Sequence, residues 1–234
     1  MAATKKQRPV ETWEDVEGMK STAEVLIPSD PIDRVLGQEE AISLAKIAAE
    51  KQHAQAVSVF PFLIKPMESE EEIRGKAYVH WKSWQESYQG IVDPAYLSRL
   101  TLEKCEEMAF RFPENILVAK DGERVVGFSA AGAYRSPDGS DAEEGEVYAL
   151  YVLRDYQKKA IGRALMQESL ARLSQCGVVH IWVLKENRQA IDFYRRVGFQ
   201  PDGEEKELIL GTAVTCIRMS LTFTDKKENA TCSV

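Results

Sequence analysis

A short basic turn between two apolar segments has the composition of a phosphate-binding site. Residues 157–163 read QKKAIGR, and Ala160 and Gly162 are small enough to let the backbone approach a ligand. A helix beginning in this turn would present backbone N–H groups without partners, and its dipole would favour an anion. The pattern favours a pyrophosphate cradle, although a plain strand–helix connection without a ligand could have the same composition.

The segments on either side of the turn are predicted to hold it in place. Six of the seven residues in 146–152 are apolar or aromatic, which is typical of a strand buried on both faces. After the turn, apolar residues recur at steps of three, four or one, as on one face of a helix: Ile161, Leu165, Met166, Leu170 and Leu173.

A second strand and a short helix are predicted downstream. Residues 178–184, VVHIWVL, have the apolar character of a buried strand. In residues 186–199, Ala190, Phe193 and Tyr194 lie on one helical face, and Gly198 provides a helix end.

These two segments together resemble the GNAT superfamily of acetyl-CoA-dependent N-acetyltransferases, over about residues 60–222. Residues 157–162 resemble its phosphate loop, Q/R-x-x-G-x-G/A, with Ala160 where glycine is usual, and residues 187–199 resemble N-x-x-A-x-x-F-Y-x-x-x-G-F. If position 160 needs a positive φ, alanine costs about 1 kcal/mol; if it is helical, alanine is neutral or favourable. The resemblance implies an α/β fold with a mixed, mostly antiparallel central sheet flanked by helices.

The resemblance also implies where the coenzyme binds. Acetyl-CoA would lie where the strand of residues 146–152 splays from the next strand, and would pair with backbone groups of Leu150, Tyr151 and Val152. Asn187 is implied to hydrogen-bond the pantetheine arm. The phosphate loop would contribute seven residues: Gln157, Lys158, Lys159, Ala160, Ile161, Gly162 and Arg163.

Two side chains are candidates for proton transfer. An alkylamine with a pKa near 10 is mostly protonated at neutral pH, so a base would help the reaction. Glu146 stands where several family members carry their base, although an ordinary exposed glutamate in this acidic run would look the same. The resemblance implies that Tyr194 protonates the leaving thiolate; the alternative is that its ring only packs in the core.

The function implied is direct transfer of the acetyl group of acetyl-CoA to a primary amine of a small molecule or protein. The alternative is a non-catalytic module that binds acetyl-CoA or CoA. The sequence does not identify the amine acceptor. A homodimer also stays open, since dimers are frequent among similar proteins.

Composition disfavours several other functions. The 234-residue chain has a net charge of −7, which argues against nucleic acid as the main partner. The sequence contains neither an eighteen-residue apolar run nor a signal peptide, so we expect a cytoplasmic protein without membrane contact. Its four cysteines and three histidines lack metal-ligand spacing, which predicts reduced thiols and no metal.

Three regions are predicted: an N-terminal arm and helical appendage over residues 1–56, an acetyltransferase domain over 57–222, and a flexible tail over 223–234. Within the appendage, about residues 27–54 resemble a fragment of an archaeal Lon-type AAA+ protease, through LGQEEA at residues 36–41. Chance similarity of an amphipathic helix is the alternative. No G-x-x-x-x-G-K-[ST] loop follows this segment, so ATP hydrolysis is not expected.

Local signals predict two further elements in the domain. Ser69 and Glu72 have the spacing of a capping box at the start of a helix. Trp81, Trp84 and Tyr88 lie on one face of that helix, either as core residues or as the lining of an acceptor pocket. The pair Asp121-Gly122 between apolar runs predicts a hairpin.

Overall fold

The computed structural model describes residues 57–59, 61–134 and 144–223. The whole predicted appendage, residues 1–56 with the Lon-like segment, lies outside the described residues, as does the tail from residue 224. The predicted division into three regions therefore stays a prediction. No helix in the described ranges is long and apolar enough to cross a membrane.

The described chain contains eight strands and five helices. The strands are β1 Val57–Val59, β2 Phe62–Pro66, β3 Ile116–Asp121, β4 Arg124–Ala133, β5 Glu144–Val152, β6 Val178–Leu184, β7 Gln200–Leu210 and β8 Thr212–Thr222. The helices are α1 Glu70–Ser87, α2 Pro94–Arg99, α3 Leu102–Arg111, α4 Ile161–Arg172 and α5 Arg188–Val197, with a 3-10 turn at Arg154–Tyr156.

All eight strands form one sheet, in the order β1-β2-β3-β4-β5-β6-β8-β7. Every neighbouring pair is antiparallel except β5 and β6, which run parallel. The predicted mixed, mostly antiparallel sheet flanked by helices is confirmed.

The helices cover opposite faces of this sheet. Val147, Val179 and Ile181 pack in one apolar cluster with α4 and α5. Trp182 and Leu184 contact a second cluster that contains α1, α2 and α3. Alternate residues of a strand point to opposite faces, so even-numbered positions of β6 face α1.

The local signals found in the sequence form as predicted. The Ser69 hydroxyl accepts a hydrogen bond from the Glu72 backbone at 3.3 Å, and the Glu72 carboxylate accepts from the Ser69 backbone at 3.4 Å. β3 and β4 join in a hairpin in which Asp121 pairs with Arg124, and Gly122 has a φ of 56°. Both features are short-range, which explains why the sequence alone predicts them.

Candidate active site

The centre of the site is a gap between the two parallel strands. β5 and β6 pair only at Glu144 with Val178, Gly145 with Val179 and Glu146 with His180. The ladder ends there, although β5 continues to Val152 and stays paired with β4. The edge of β5 that faces β6 is thereby open to a ligand.

A cleft of 790 Å³ occupies this gap. It is lined by residues 148–152 of β5 and 181–184 of β6, with the turn before α4, helix α5 and the end of α1 around them. The cleft brings together most of the predicted site residues: Leu150, Tyr151, Val152, Gln157, Lys158, Ala160, Gly162, Arg163, Asn187 and Tyr194. Its volume lies within the range of small-molecule and cofactor sites.

The turn at one end of the cleft has a strained backbone. Ala160 is the residue before α4, with φ 64° and ψ −4°, and no side chain caps this helix end. Lys158 also has a positive φ, of 60°. Position 160 therefore needs the left-handed conformation, and alanine there costs about 1 kcal/mol. Turn residues of this kind aim successive N–H groups into a concavity that suits an anion.

Two residues of the predicted phosphate loop have side chains away from the cleft. Ile161 is 1% exposed and packs in the core, so only its backbone could contact a ligand in the cleft. The Lys159 ammonium lies 4.8 Å from the centre of the Tyr156 ring. Lys159 and Tyr156 line a separate cavity with Asp121 and Arg124.

Gln157 and Asn187 are held by local hydrogen bonds. The Gln157 amide donates to the Val152 carbonyl at 3.1 Å, and it accepts from Gln189 at 3.1 Å. The Asn187 side-chain oxygen accepts from the Ala190 backbone at 3.2 Å and so caps α5. Because this contact uses only the oxygen of Asn187, its NH₂ group is the part available to a ligand.

Tyr194 packs in the core and also borders the cleft, so the structure is compatible with either of the alternatives that the sequence left open. Its ring packs against Phe193 and Phe199, at centroid distances of 5.4 and 6.2 Å, yet the residue also lines the cleft. Burial raises the pKa of Tyr194 well above its usual value, so the phenol stays protonated at neutral pH.

The aromatic stripe of α1 divides between core and cleft. Trp84 is fully buried and donates from Nε1 to the Tyr151 hydroxyl at 3.1 Å, whereas Tyr88 lines the cleft. The Tyr88 and Tyr151 hydroxyls are 3.1 Å apart. Burial raises the pKa of Tyr151 to about 12, so this phenol also stays protonated.

The cleft also contains residues that the sequence analysis did not assign to the site, and two of them, Ser83 and Cys216, carry groups that could react or form hydrogen bonds. Ser83 is 2% exposed, and its hydroxyl has no hydrogen-bond partner among the described residues. Cys216, on β8, is 1% exposed and also borders the cleft. Ser83 directly precedes Trp84 but lies about 100° around the helix from it, so it is off the predicted stripe. No pattern around Ser83 or Cys216 indicated its position.

Glu146 lies where the β5–β6 ladder closes, and it does not line the cleft. Val147 faces α4 and α5, so Glu146 lies on the α1 face of the sheet. The alternative of an ordinary exposed glutamate is wrong, because Glu146 is 6% exposed.

Comparisons with known proteins agree with this geometry. The model of the acetyltransferase (GNAT) family matches residues 78–199. The uncharacterized N-acetyltransferase YuaI of Bacillus subtilis is 32% identical over 145 residues, which cover 60% of this chain and 82% of YuaI. The probable N-acetyltransferase Rv2775 of Mycobacterium tuberculosis is 26% identical over 136 residues, covering 54% of this chain and 74% of that protein.

A solved structure has the same fold. The PaiA N-acetyltransferase of Thermoplasma acidophilum, crystallised with coenzyme A, aligns with a TM-score of 0.54 and 21% identity, over 69% of this chain and 99% of its own. The chain belongs to the GNAT acetyltransferase family. The predicted family and enzyme class are confirmed. Among the described residues, no cluster of histidine, cysteine, aspartate or glutamate could hold a metal ion.

Proposed function

We propose that this acetyltransferase binds acetyl-CoA in the cleft between β5 and β6 and transfers the acetyl group directly to a primary amine of a small molecule or protein. The observation that carries the proposal is the early end of the β5–β6 ladder beside the uncapped start of α4. A long ligand with an anionic middle and a thioester end fits such a cleft.

The pyrophosphate would bind at the start of α4. The first N–H groups of this helix have no intrahelical partners, and Ala160 and Gly162 line this end of the cleft. Lys158 and Arg163 also line it and would add positive charge. The pantetheine arm would then run along the open edge of β5 and accept a hydrogen bond from Asn187. In this arrangement backbone groups bind much of the coenzyme, and small side chains in the turn let the coenzyme approach the backbone.

The acetyl thioester would lie near Leu150, whose backbone N–H would polarise its carbonyl oxygen. The amine nitrogen attacks the carbonyl carbon, the C–S bond breaks, and the sulfur leaves as a thiolate. Tyr194 gives its proton to this thiolate, whose conjugate acid has a pKa near 8.5. The proton lost by the amine passes to Glu146 through water, because Glu146 is set back from the cleft.

Direct transfer is favoured over an acetyl-enzyme intermediate. Cys216 is the cysteine that borders the cleft in the described part of the chain. Burial raises the pKa of its thiol to about 11, so almost none is thiolate at neutral pH. A neutral thiol is a poor nucleophile, so the amine rather than Cys216 attacks the thioester.

The test measures release of free CoA thiol from acetyl-CoA with a panel of polyamines, amino acids and peptides. We expect amine-dependent release, one N-acetyl product per thiol by mass spectrometry, and intersecting initial-velocity lines. Cys216→Ser should retain activity. Tight acetyl-CoA binding without amine-dependent release would support the non-catalytic module instead, and parallel velocity lines would contradict direct transfer.

A further inference from the structure

Three tyrosines border the cleft from its two walls. On the α1 side, Tyr88 belongs to the apolar cluster of α1, α2 and α3, and Tyr151 of β5 packs against the same cluster. On the opposite side, Tyr194 belongs to the cluster of α4 and α5. Burial raises the pKa of Tyr194, and the nearby Tyr151 raises it further. Phenols of both walls therefore surround the same part of the cleft.

The hydroxyls on the α1 side form a chain that leaves one hydrogen without a partner. An indole N–H can only donate, so Trp84 donates to the Tyr151 oxygen at 3.1 Å. The Tyr88 and Tyr151 hydroxyls, 3.1 Å apart, share a further hydrogen bond, which uses one of their two hydrogens. Among the described residues, no other hydrogen bond reaches either hydroxyl. Whichever of the two donates in the shared bond, one O–H remains for a ligand or a water molecule in the cleft.

Burial indicates that the remaining hydrogen belongs to Tyr151. Tyr88 is 7% exposed, whereas Tyr151 is only partly buried. Because a buried donor without a partner is costly, Tyr88 should donate to Tyr151 and leave the remaining O–H on the more exposed side chain. Burial raises the pKa of Tyr151, and hydrogen bonds from Tyr88 and Trp84 oppose that rise, as donors to the Tyr151 oxygen do. With two hydrogen bonds accepted, the Tyr151 hydroxyl can only donate to a ligand.

We propose that Tyr151 is a catalytic residue whose hydroxyl donates a hydrogen bond to the carbonyl oxygen of the acetyl thioester, and that Tyr88 and Trp84 are positioning residues that fix this hydroxyl. The proposal rests on acetyl transfer in the cleft, with the thioester beside Leu150. Tyr151 directly follows Leu150 on β5, and both residues line the cleft. A group that can only donate suits an oxygen that gains negative charge, and it leaves the lone pair of the acceptor amine available for attack.

This hydrogen bond adds no proton transfer to the reaction. When the amine nitrogen attacks the carbonyl carbon, the electron pair of the C=O bond moves onto the oxygen, which then accepts hydrogen bonds from the Leu150 N–H and the Tyr151 O–H. The pair returns as the C–S bond breaks, and Tyr194 protonates the sulfur from the other wall. Burial raises the pKa of Tyr151 to about 12, which favours retention of its proton throughout.

Phenylalanine substitutions test the roles by kinetics. Tyr151→Phe should lower kcat about 100-fold and change the dissociation constant of acetyl-CoA less than about threefold, because the hydrogen bond strengthens only as charge develops. Tyr88→Phe should lower kcat less, since Trp84 still donates to the Tyr151 oxygen. The matched control is Tyr96→Phe, because Tyr96 is 9% exposed in the same apolar cluster and does not line the cleft. Its kcat should not change. Equal losses in Tyr96→Phe and Tyr151→Phe would overturn the proposal, as would a larger loss in Tyr88→Phe than in Tyr151→Phe.

The infrared stretch of the thioester carbonyl tests the contact without turnover. Acetyl-CoA labelled with ¹³C at this carbonyl should absorb at lower wavenumber when bound to the unaltered protein than when free, and the absence of a shift would overturn the proposal even if a variant failed to fold. The bound stretch should move back to higher wavenumber in Tyr151→Phe and stay unchanged in Tyr96→Phe.

Two results with Tyr151→Phe would contradict the contact: a bound stretch equal to that of the wild type, or a loss of acetyl-CoA affinity without a change in the stretch, as expected for a hydrogen bond to a pantetheine amide. Absence of acetyl transfer to every amine would instead refute the proposed function. The infrared comparison distinguishes the two failures, because it needs only bound acetyl-CoA.

Discussion

Replacement of Gly162 by aspartate should separate coenzyme binding from folding. Gly162 is the second residue of α4, and a Cβ placed on it would lie 3.7 Å from the Phe193 ring and 3.8 Å from Val152. These are ordinary contact distances, so the protein itself can accommodate a side chain. A carboxylate in the first turn also interacts favourably with the helix dipole, by about 0.3–1 kcal/mol. Gly162→Asp should therefore fold with an unchanged or slightly higher melting temperature.

The same carboxylate should strongly weaken acetyl-CoA binding. Two unit negative charges about 4 Å apart repel by about 4 kcal/mol at an effective dielectric constant of 20. Lys158 and Arg163 compensate part of this repulsion, and about 3 kcal/mol remains. Because 1.4 kcal/mol corresponds to a factor of ten, the dissociation constant should rise by about 100-fold.

Calorimetric titration with acetyl-CoA measures the effect, and two variants serve as controls. Gly162→Asn has the size of aspartate without its charge, and Gly162→Ala keeps the family pattern. Alanine should bind within about threefold of the wild type, and asparagine should fall between alanine and aspartate. Equal affinities of the aspartate and asparagine variants would refute the reasoning that an anion binds at this helix start.

Three further changes test the site and the fold. Tyr194→Phe should lower kcat at least about tenfold and leave acetyl-CoA affinity intact, because the thiolate loses its proton donor; steady-state kinetics with an unchanged kcat would remove Tyr194 from the mechanism. Ala160→Gly should raise stability by up to about 0.6 kcal/mol, since relief of about 1 kcal/mol of left-handed strain is offset by an entropy cost of about 0.4–1 kcal/mol for glycine; a lower melting temperature would contradict this. Burial alone would raise the pKa of Glu72, but a backbone N–H together with Lys65 and Lys120 lowers it to about 2. The stability that Glu72 contributes is therefore present above about pH 4.5 and is lost as the pH falls toward 2, by roughly 3 kcal/mol. Glu72→Gln should remove that part of the pH dependence in acid unfolding curves, and a curve parallel to that of the wild type would contradict it.

Residues close together in the chain carried most of the correct sequence predictions. The capping box of Ser69 and the Asp121-Gly122 hairpin depend on contacts within four residues, and the structure has both. The turn before α4 could be located in the same way, but the sequence left the conformation of Ala160 open. Only the structure shows its φ of 64°, because alanine does not by itself select that region.

Contacts between residues that are far apart in the chain could not be predicted from the sequence. Cys216 reaches the cleft because β8 pairs with β6, and the order of strands in a sheet is not encoded in a local pattern. Glu146 and His180 become neighbours through the parallel pairing of β5 and β6, 34 residues apart in the chain. The same strand order brings His180 into hydrogen-bonding distance of Glu144 on β5 and Ser220 on β8.

A crystal structure of the acetyl-CoA complex tests the central claim most directly. The account predicts pyrophosphate oxygens within about 3 Å of backbone nitrogens at the start of α4, and the thioester sulfur within hydrogen-bonding reach of the Tyr194 hydroxyl. A coenzyme bound outside the β5–β6 cleft, for example in the cavity beside Tyr156 and Arg124, would contradict it.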